Sequence, residues 1–425
     1  MPTTLIVFSP LRWNAMQERP QQLLSRLASG WRVLFVEEPV PGNGPARLQI
    51  EAVAPTVEVL RAHTPLPAAG FHDDQLPLLR ALLAGHLRAH GIDDYVVWFA
   101  TPLALPLIDD LQPRAVVYDC MDELSSLVGA PHLLHQREAA LLGMADLAFA
   151  SGPSLCEARS GLRGDMHCLP SAVDAHAWSP ATLDRDSAEA LAAARLQAHI
   201  AGPRLGYCGA IDERIDLALL ARLADARPDW QIVMAGPVLG IAAGSLPQRD
   251  NLHWLGSQPG ERLAHLVSAW HVCLMPFKLH PAVRQASAAT KALEYMAAEK
   301  PIASTALPDV SALYADVVAL ADDAPGFVNA CTRLLGESGA AQAARVGAMR
   351  KHVESTSWDA TAERIAALLE GELCEYRLPG ALRVGPGREA RRLPSASMPI
   401  NSDARAARGG ERGGIGVENI GASLS

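Results

Sequence analysis

The sequence predicts an α/β protein of two doubly wound domains, and three observations carry that prediction. Short β-branched or aromatic runs alternate with helical stretches in both halves of the chain, the pattern of βαβ units around a parallel sheet. The rhythm breaks once, around Ser179–Pro203, and then restarts. The chain's 425 residues exceed one ordinary core and suit two, with a tail left over.

In the first half the predicted strands are Leu5–Phe8, Arg32–Val36, Val57–Leu60, Tyr95–Phe99, Ala115–Tyr118, Leu147–Ala150 and Met166–Leu169. Helical spacing is clearest over Arg19–Ala28 and Leu76–His90. The Asp-, Ala- and Arg-rich stretch 179–203 reads as helix without strand and is taken as the joint. Strands follow at Leu205–Cys208, Gln231–Ala235, Leu252–Leu255, Val272–Pro276, Ile302–Ser304 and Val317–Leu320, separated by helices such as Leu217–Ala226 and Glu261–Ser268. A last helix is predicted from Trp358 to Leu373. Past Tyr376 a non-periodic run of Gly, Arg, Pro, Ser and Ala cannot bury enough apolar area to order itself, so a disordered tail is expected. The expected organisation is therefore a first domain over 1–178, a joint over 179–203, a second domain over 204–357, a returning helix over 358–376 and a basic tail over 377–425.

Composition narrows the function. Hydrophobic residues make up 49% and charged residues 20%, the balance of a soluble globular chain. A net charge of −9 argues against generic nucleic-acid binding, so no nucleic-acid partner is expected. The tail differs, with eight Arg against four acidic residues. Seven scattered Cys include no C-x-x-C pair and read as buried free thiols in a reducing compartment. The chain opens on a strand rather than a signal peptide, and no run of about 18 apolar residues could form a membrane span. A cytoplasmic protein is expected, with the inner membrane face as a further expected contact.

Open α/β sheets bind ligands at the carboxyl ends of their strands, and the motifs cluster there. The richest is Ala289-Thr290-Lys291-Ala292-Leu293-Glu294-Tyr295-Met296-Ala297-Ala298-Glu299-Lys300-Pro301-Ile302. Thr290 is placed as the N-cap of a helix beginning at Lys291, after a loop carrying Lys278 and Arg284. A helix N-terminus offers unpaired N–H groups and a positive dipole end to a diphosphate. Glu294 would lie in the first turn, where its carboxylate can accept from two adjacent hydroxyls or simply complement the helix dipole. Gly209 and Gly236-Pro237 end strands where glycine lets a ligand approach the backbone. Arg214, in Asp212-Glu213-Arg214-Ile215-Asp216, can aim a planar fork at phosphate or pair with a neighbouring aspartate.

In the first half, Arg12 and Arg19 flank Trp13 and Gln17 and could hold an anionic acceptor or serve as structural residues. Asp119, Asp122 and Glu123 follow a buried strand, where they either cap a helix or meet sugar hydroxyls, one of them able to act as a base. No metal is expected, since the sole D-x-D, Asp184-Arg185-Asp186, falls in the joint.

The Lys291–Pro301 block resembles the "P-x-K-x-x-E-Y-x-A-x-G-K-P-V" signature of GT-B glycosyltransferases, with the group 1 bacterial enzymes of cell-surface polysaccharide synthesis the closest resemblance. The "Y-D-x-x-D-E" of Tyr118–Glu123, the "W-x-x-x-x-Q-R-P-Q"-like start and "L-P-S-A-V-D" at Leu169–Asp174 are similar to the same family's motifs. The resemblance implies two Rossmann-like domains facing across a cleft. It implies a nucleotide diphosphate sugar, UDP-linked, as co-substrate, with no separate cofactor and a saccharide or lipid-linked acceptor. It further implies retention of configuration, with Glu294 on the nucleotide ribose and Arg214, Lys278 and Lys291 stabilising the departing diphosphate. The sequence departs from the signature at Ala286, where many relatives have Glu, and at Ala289 and Glu299, where the signature has Pro and Gly. A non-catalytic scaffold of the same fold and a UDP-sugar epimerase remain as alternatives.

Overall fold

The computed structural model describes residues 3–14, 19–121, 133–279 and 286–376. Two sheets carry the fold. The first contains β1 (Thr4–Ser9), β2 (Arg32–Pro41), β3 (Arg47–Ala54), β4 (Val57–Thr64), β5 (Tyr95–Phe99), β6 (Val116–Cys120), β7 (Leu147–Ala150) and β8 (His167–Cys168). Their order is β3-β4-β2-β1-β5-β6-β7-β8, parallel except where β3 turns back on β4. Helices α1 (Arg19–Leu27), α2 (Leu76–Ala89), α3 (Leu133–Met144) and α4 (Pro153–Arg159) cover it. All five residues of β5 and of β6 are buried, as expected of strands covered on both faces.

The short helix α5 (Ala175–Trp178) and α6 (Ala188–Gln197) lead to a second sheet of β9 (Arg204–Cys208), β10 (Gln231–Ala235), β11 (Leu252–Gly256), β12 (Val272–Met275), β13 (Ile302–Thr305) and β14 (Val318–Ala321). Its order, β11-β10-β9-β12-β13-β14, is parallel throughout. Around it lie α7 (Leu217–Ala226), α8 (Gly260–Ser268), α9 (Ala286–Ala297), α10 (Pro308–Tyr314), α11 (Ala324–Leu335) and α12 (Gly339–Glu354). The last described helix, α13 (Trp358–Tyr376), returns to the first domain. Its Trp358, Ala362, Ile365, Leu369 and Leu373 share a core with Leu23, Leu24 and Leu27 of α1. Arg26 Nε also pairs with Asp359 at 2.6 Å.

Two sequence expectations change. Strand β3 went unrecognised because it is an edge strand whose side chains alternate between exposed and half-buried, leaving no apolar run to read. The segment 179–203 holds α6 and no strand, and there α6 packs on α8 while Gln197 accepts from the Trp270 indole at 2.8 Å. The thiols are free, yet Cys168 and Cys374 are exposed while Cys120, Cys208, Cys273 and Cys331 are buried.

The carboxyl edges of the two sheets meet through α4, which follows β7, and α10, which follows β13. Ser154 N–H donates to Asp309 Oδ1 at 2.7 Å, so a carboxylate of one domain meets the helix start of the other. Asp309 is only 2% exposed.

Candidate functional site at the facing strand ends

Chain order reverses beside β9 in the second sheet and beside β1 in the first, so the switch points are β9/β12 and β1/β5. At the first of these the backbone comes together unusually closely. Gly209 N–H donates to Ala235 O and Gly236 N–H to Gly256 O, both at 2.9 Å. Gly236 has φ +156°, and a Cβ there would stand 1.8 Å from Gly209 O. Gly209 has φ +148°, and its Cβ would stand 2.6 Å from the Tyr207 hydroxyl oxygen. Neither position has room for a side chain, so glycine is required by contact as well as by conformation. Beyond them, Ile211 N–H donates to Pro237 O at 2.9 Å, Asp216 N–H to Pro276 O at 2.8 Å and Lys278 N–H to Arg214 O at 2.8 Å. The loops after β9, β10 and β12 are thereby laced into one floor.

Helix α9 stands over that floor. It begins at Ala286, not at Lys291, so Thr290 is not its N-cap and Glu294 is not in its first turn. The run Ala286-Ser287-Ala288-Ala289 is the physical reason: alanine is the strongest helix former, and without the signature Pro nothing stops the helix upstream. The block nonetheless meets the end of β9. The fully buried Tyr295 accepts at its hydroxyl from Cys208 N–H at 2.9 Å, tying helix to strand. Lys291 Nζ pairs with Glu294, lies 3.9 Å from Cys208 Sγ and sits 5.8 Å from the centre of the Trp178 ring. Burial works against the Lys291 ammonium, but Cys208, Glu294 and Tyr207 around it raise its pKa overall. Burial pushes the Cys208 thiol up, and Glu294 is the ion-pair partner of Lys291.

The helix ends at the Glu299 substitution. Glu299 has φ +56°, with its N–H on Met296 O, while Lys300 N–H reaches Tyr295 O. This left-handed C-terminal turn is the kind glycine ordinarily makes. Arg350 grips the Glu299 carboxylate at 2.6 Å.

The other sequence candidates separate clearly. Arg214 turns its fork onto Asp212, with Nε and Nη2 at 3.0 and 2.7 Å from Oδ2, so it takes the aspartate partner that the sequence left open. Lys278 is exposed and forms no ion pair with a described residue. Arg284, Asp122 and Glu123 lie outside the described residues. Asp184 Oδ1 accepts from Asp186 N–H at 2.9 Å within a local turn, and among the described residues no group of three or more His, Cys, Asp or Glu could hold a metal ion.

Arg19 and Asp119 are brought together, but against each other. Arg19 is 6% and Asp119 1% exposed, with Nε bonded to Oδ1 at 3.1 Å and Nη1 donating to Leu169 O at 2.7 Å. Burial raises the Asp119 pKa, and Arg19 opposes the rise. In this structure the pair joins α1, β6 and the exit from β8, and only Arg19 Nη2 is left without a partner among the described residues. Arg12 lies at the β1 exit, with Nη1 3.1 Å from Glu37 Oε2 and 2.5 Å from Glu38 O. Glu37 is fully buried and also accepts from Trp13 N–H at 2.8 Å and Arg61 Nε at 2.6 Å. Burial works to raise its pKa, but the donors from Arg61, Trp13 and Arg12 lower it overall.

Sequence reasoning missed Glu37 and Glu38. The available signal was a pair of acidic residues at the end of an apolar strand, Leu34-Phe35-Val36-Glu37-Glu38. Carboxylates there are costly to bury without a purpose.

Residues 202–337 match the family model described as glycosyl transferases, group 1. The chain is 24% identical over 263 residues to TuaH of Bacillus subtilis (strain 168), a protein named as a teichuronic acid biosynthesis glycosyltransferase; the match takes in 57% of this chain and 64% of that protein. Thus the chain spans somewhat under two thirds of the length of this curated relative. Sucrose-phosphate synthase from Thermosynechococcus elongatus superposes with a TM-score of 0.69 at 17% identity, over 88% of this chain and all of that one. A UDP-forming α,α-trehalose-phosphate synthase from Burkholderia xenovorans, in complex with glucose-6-phosphate, superposes with a TM-score of 0.61 at 12% identity, over 87% and 100%. Among the described residues, no helix is long and apolar enough to cross a membrane.

Proposed function

On the premise that residues 202–337 form a group 1 glycosyltransferase domain within a GT-B fold, we propose that the protein moves a sugar from a nucleotide diphosphate donor to a saccharide or lipid-linked acceptor. The observation that carries the reading is the meeting of α9 with the end of β9. There Lys291, Glu294 and Tyr295 stand over the Gly209–Gly236 floor at the switch point. The donor's base and sugar are proposals of the same reading. UDP is favoured by the name of the UDP-forming structural neighbour, and a role in cell-surface polysaccharide synthesis by the name of the curated relative.

On this reading the diphosphate lies against the glycine floor, where the lack of side chains lets it approach the backbone closely. Glu294 exchanges part of its contact with Lys291 for the ribose hydroxyls. The freed Lys291 ammonium, with Lys278 from the β12 loop, faces the charge that grows on the departing diphosphate. Arg214 contributes only if its fork leaves Asp212. The bond from the anomeric carbon to the phosphate oxygen breaks as the acceptor hydroxyl oxygen bonds to that carbon. The hydroxyl proton passes to the leaving phosphate, with retention of configuration and without a metal. The two sheets, joined at Ser154 and Asp309, hold donor and acceptor to one geometry.

The test is thermal unfolding of the full chain with UDP, GDP, ADP and their sugars. A ligand that binds only the folded state raises the melting temperature by mass action. The reading expects a rise with one diphosphate family and release of that nucleotide when acceptor saccharides are added. No rise with any of them at millimolar concentration defeats it.

A further inference from the structure

The carboxyl edge of the first sheet has a charge pattern that restricts what can approach it. The sequence contains no lysine before Lys278, so arginine supplies every permanent side-chain cation in the first domain. Those at this edge are already answered. Arg19 is locked to Asp119, Arg61 to Glu37, and Arg12 lies on Glu37 with Glu38 beside it. A phosphate brought here would meet cations neutralised by buried carboxylates, and it would also meet Glu38.

Glu38 is the exception among these carboxylates. It is half-buried within β2, one residue past Glu37, which pairs with Ser9 at the end of β1, and among the described residues no group donates a hydrogen bond to its side chain. Burial raises its pKa and Arg12 opposes the rise. Gly70, with φ +65°, passes directly over it; a Cβ at that position would stand 2.9 Å from Glu38 Oε1. The chain therefore holds a loop over a carboxylate that has no internal partner. Beside it, Arg12 commits only Nη1, which leaves Nε and Nη2 uncommitted among the described residues. Free acceptors next to free donors, with no surplus positive charge among the described residues, match a polyhydroxyl surface, whose hydroxyls both donate and accept.

The geometry points to an acceptor that presents an uncharged saccharide end to this edge, not a sugar phosphate, with Glu38 accepting from its hydroxyls and Arg12 donating to them. This rests on the transferase reading and sharpens it to a substrate class. The structural neighbour in complex with glucose-6-phosphate shares the fold, and on this inference this chain does not share that ligand.

The experiment is saturation-transfer NMR on the full chain, with and without UDP, using methyl glycosides of glucose, galactose, mannose and N-acetylglucosamine against glucose 6-phosphate and mannose 6-phosphate. At least one neutral glycoside is expected to give a signal that the phosphates neither match nor displace. Glu38→Gln, which breaks no internal pair and should melt as the parent does, is expected to weaken that glycoside about tenfold or more. A sugar phosphate that binds more tightly than its neutral counterpart, a glycoside indifferent to Glu38→Gln, or no saccharide signal at all each overturns the inference. Calorimetry with UDP on the same sample reports separately on the donor reading, so failure of one is distinguishable from failure of the other.

Discussion

The two facing edges are built from different materials. The edge of the second sheet is made of backbone: two glycines in contact, laced loops, and a helix pinned by Tyr295 to Cys208 N–H. The edge of the first sheet is made of side chains: Arg19 on Asp119, and Arg12 and Arg61 on Glu37. A backbone floor free of side chains suits a diphosphate, which is common to every nucleotide diphosphate sugar. Side-chain pairs can be exchanged one at a time and so suit a partner that varies. On the proposed reading the constant half of the reaction belongs to the second domain and the variable half to the first.

The comparison breaks most forcefully at the buried ion pair. Asp119→Asn leaves the Arg19 guanidinium buried without its counter-charge, and a stability loss of about 3–5 kcal/mol is expected in urea unfolding. Affinity for UDP should remain that of the parent, because the pair lies wholly within the first domain. A variant that loses UDP affinity while keeping its stability would place the pair in the donor site instead.

The next effect tests the backbone edge. Gly236→Ala forces a methyl group into Gly209 O, and a cost of about 3 kcal/mol together with loss of UDP binding is expected. Normal UDP affinity in this variant would mean the glycine floor has no part in donor binding.

The smallest effect has the opposite sign. Glu299→Gly removes a side chain from a left-handed residue and gives up one exposed ion pair with Arg350, so a gain of roughly 0.5–1 kcal/mol is expected in thermal unfolding. A loss would show that the pair outweighs the backbone strain.

The contrast between the edges also explains what the sequence made legible. The second edge announces itself locally. Gly209 and Gly236 directly follow strands, the Lys291–Ile302 block is one contiguous run leading into β13, and strands such as Gln231–Ala235 could be read directly from their apolar runs. The first edge is assembled across long separations, with Arg19 bonded to residues 119 and 169, and no local pattern announces such a pairing. Glu38 escaped notice because a free carboxylate is defined by what surrounds it, including a loop thirty-two residues away at Gly70. The start of α9 was misplaced because capping rules favoured Thr290 while the alanines before it continue the helix.

The most direct test of the central claim is calorimetric titration of the full chain and of Glu294→Ala with UDP, each first shown by thermal unfolding to be folded. The account predicts saturable binding to the parent and a loss of about tenfold or more in affinity for the variant, since a charged hydrogen-bonding partner of the ribose is removed. Equal affinity in the two proteins would contradict it, and would return Glu294 to the role of a counter-charge for Lys291.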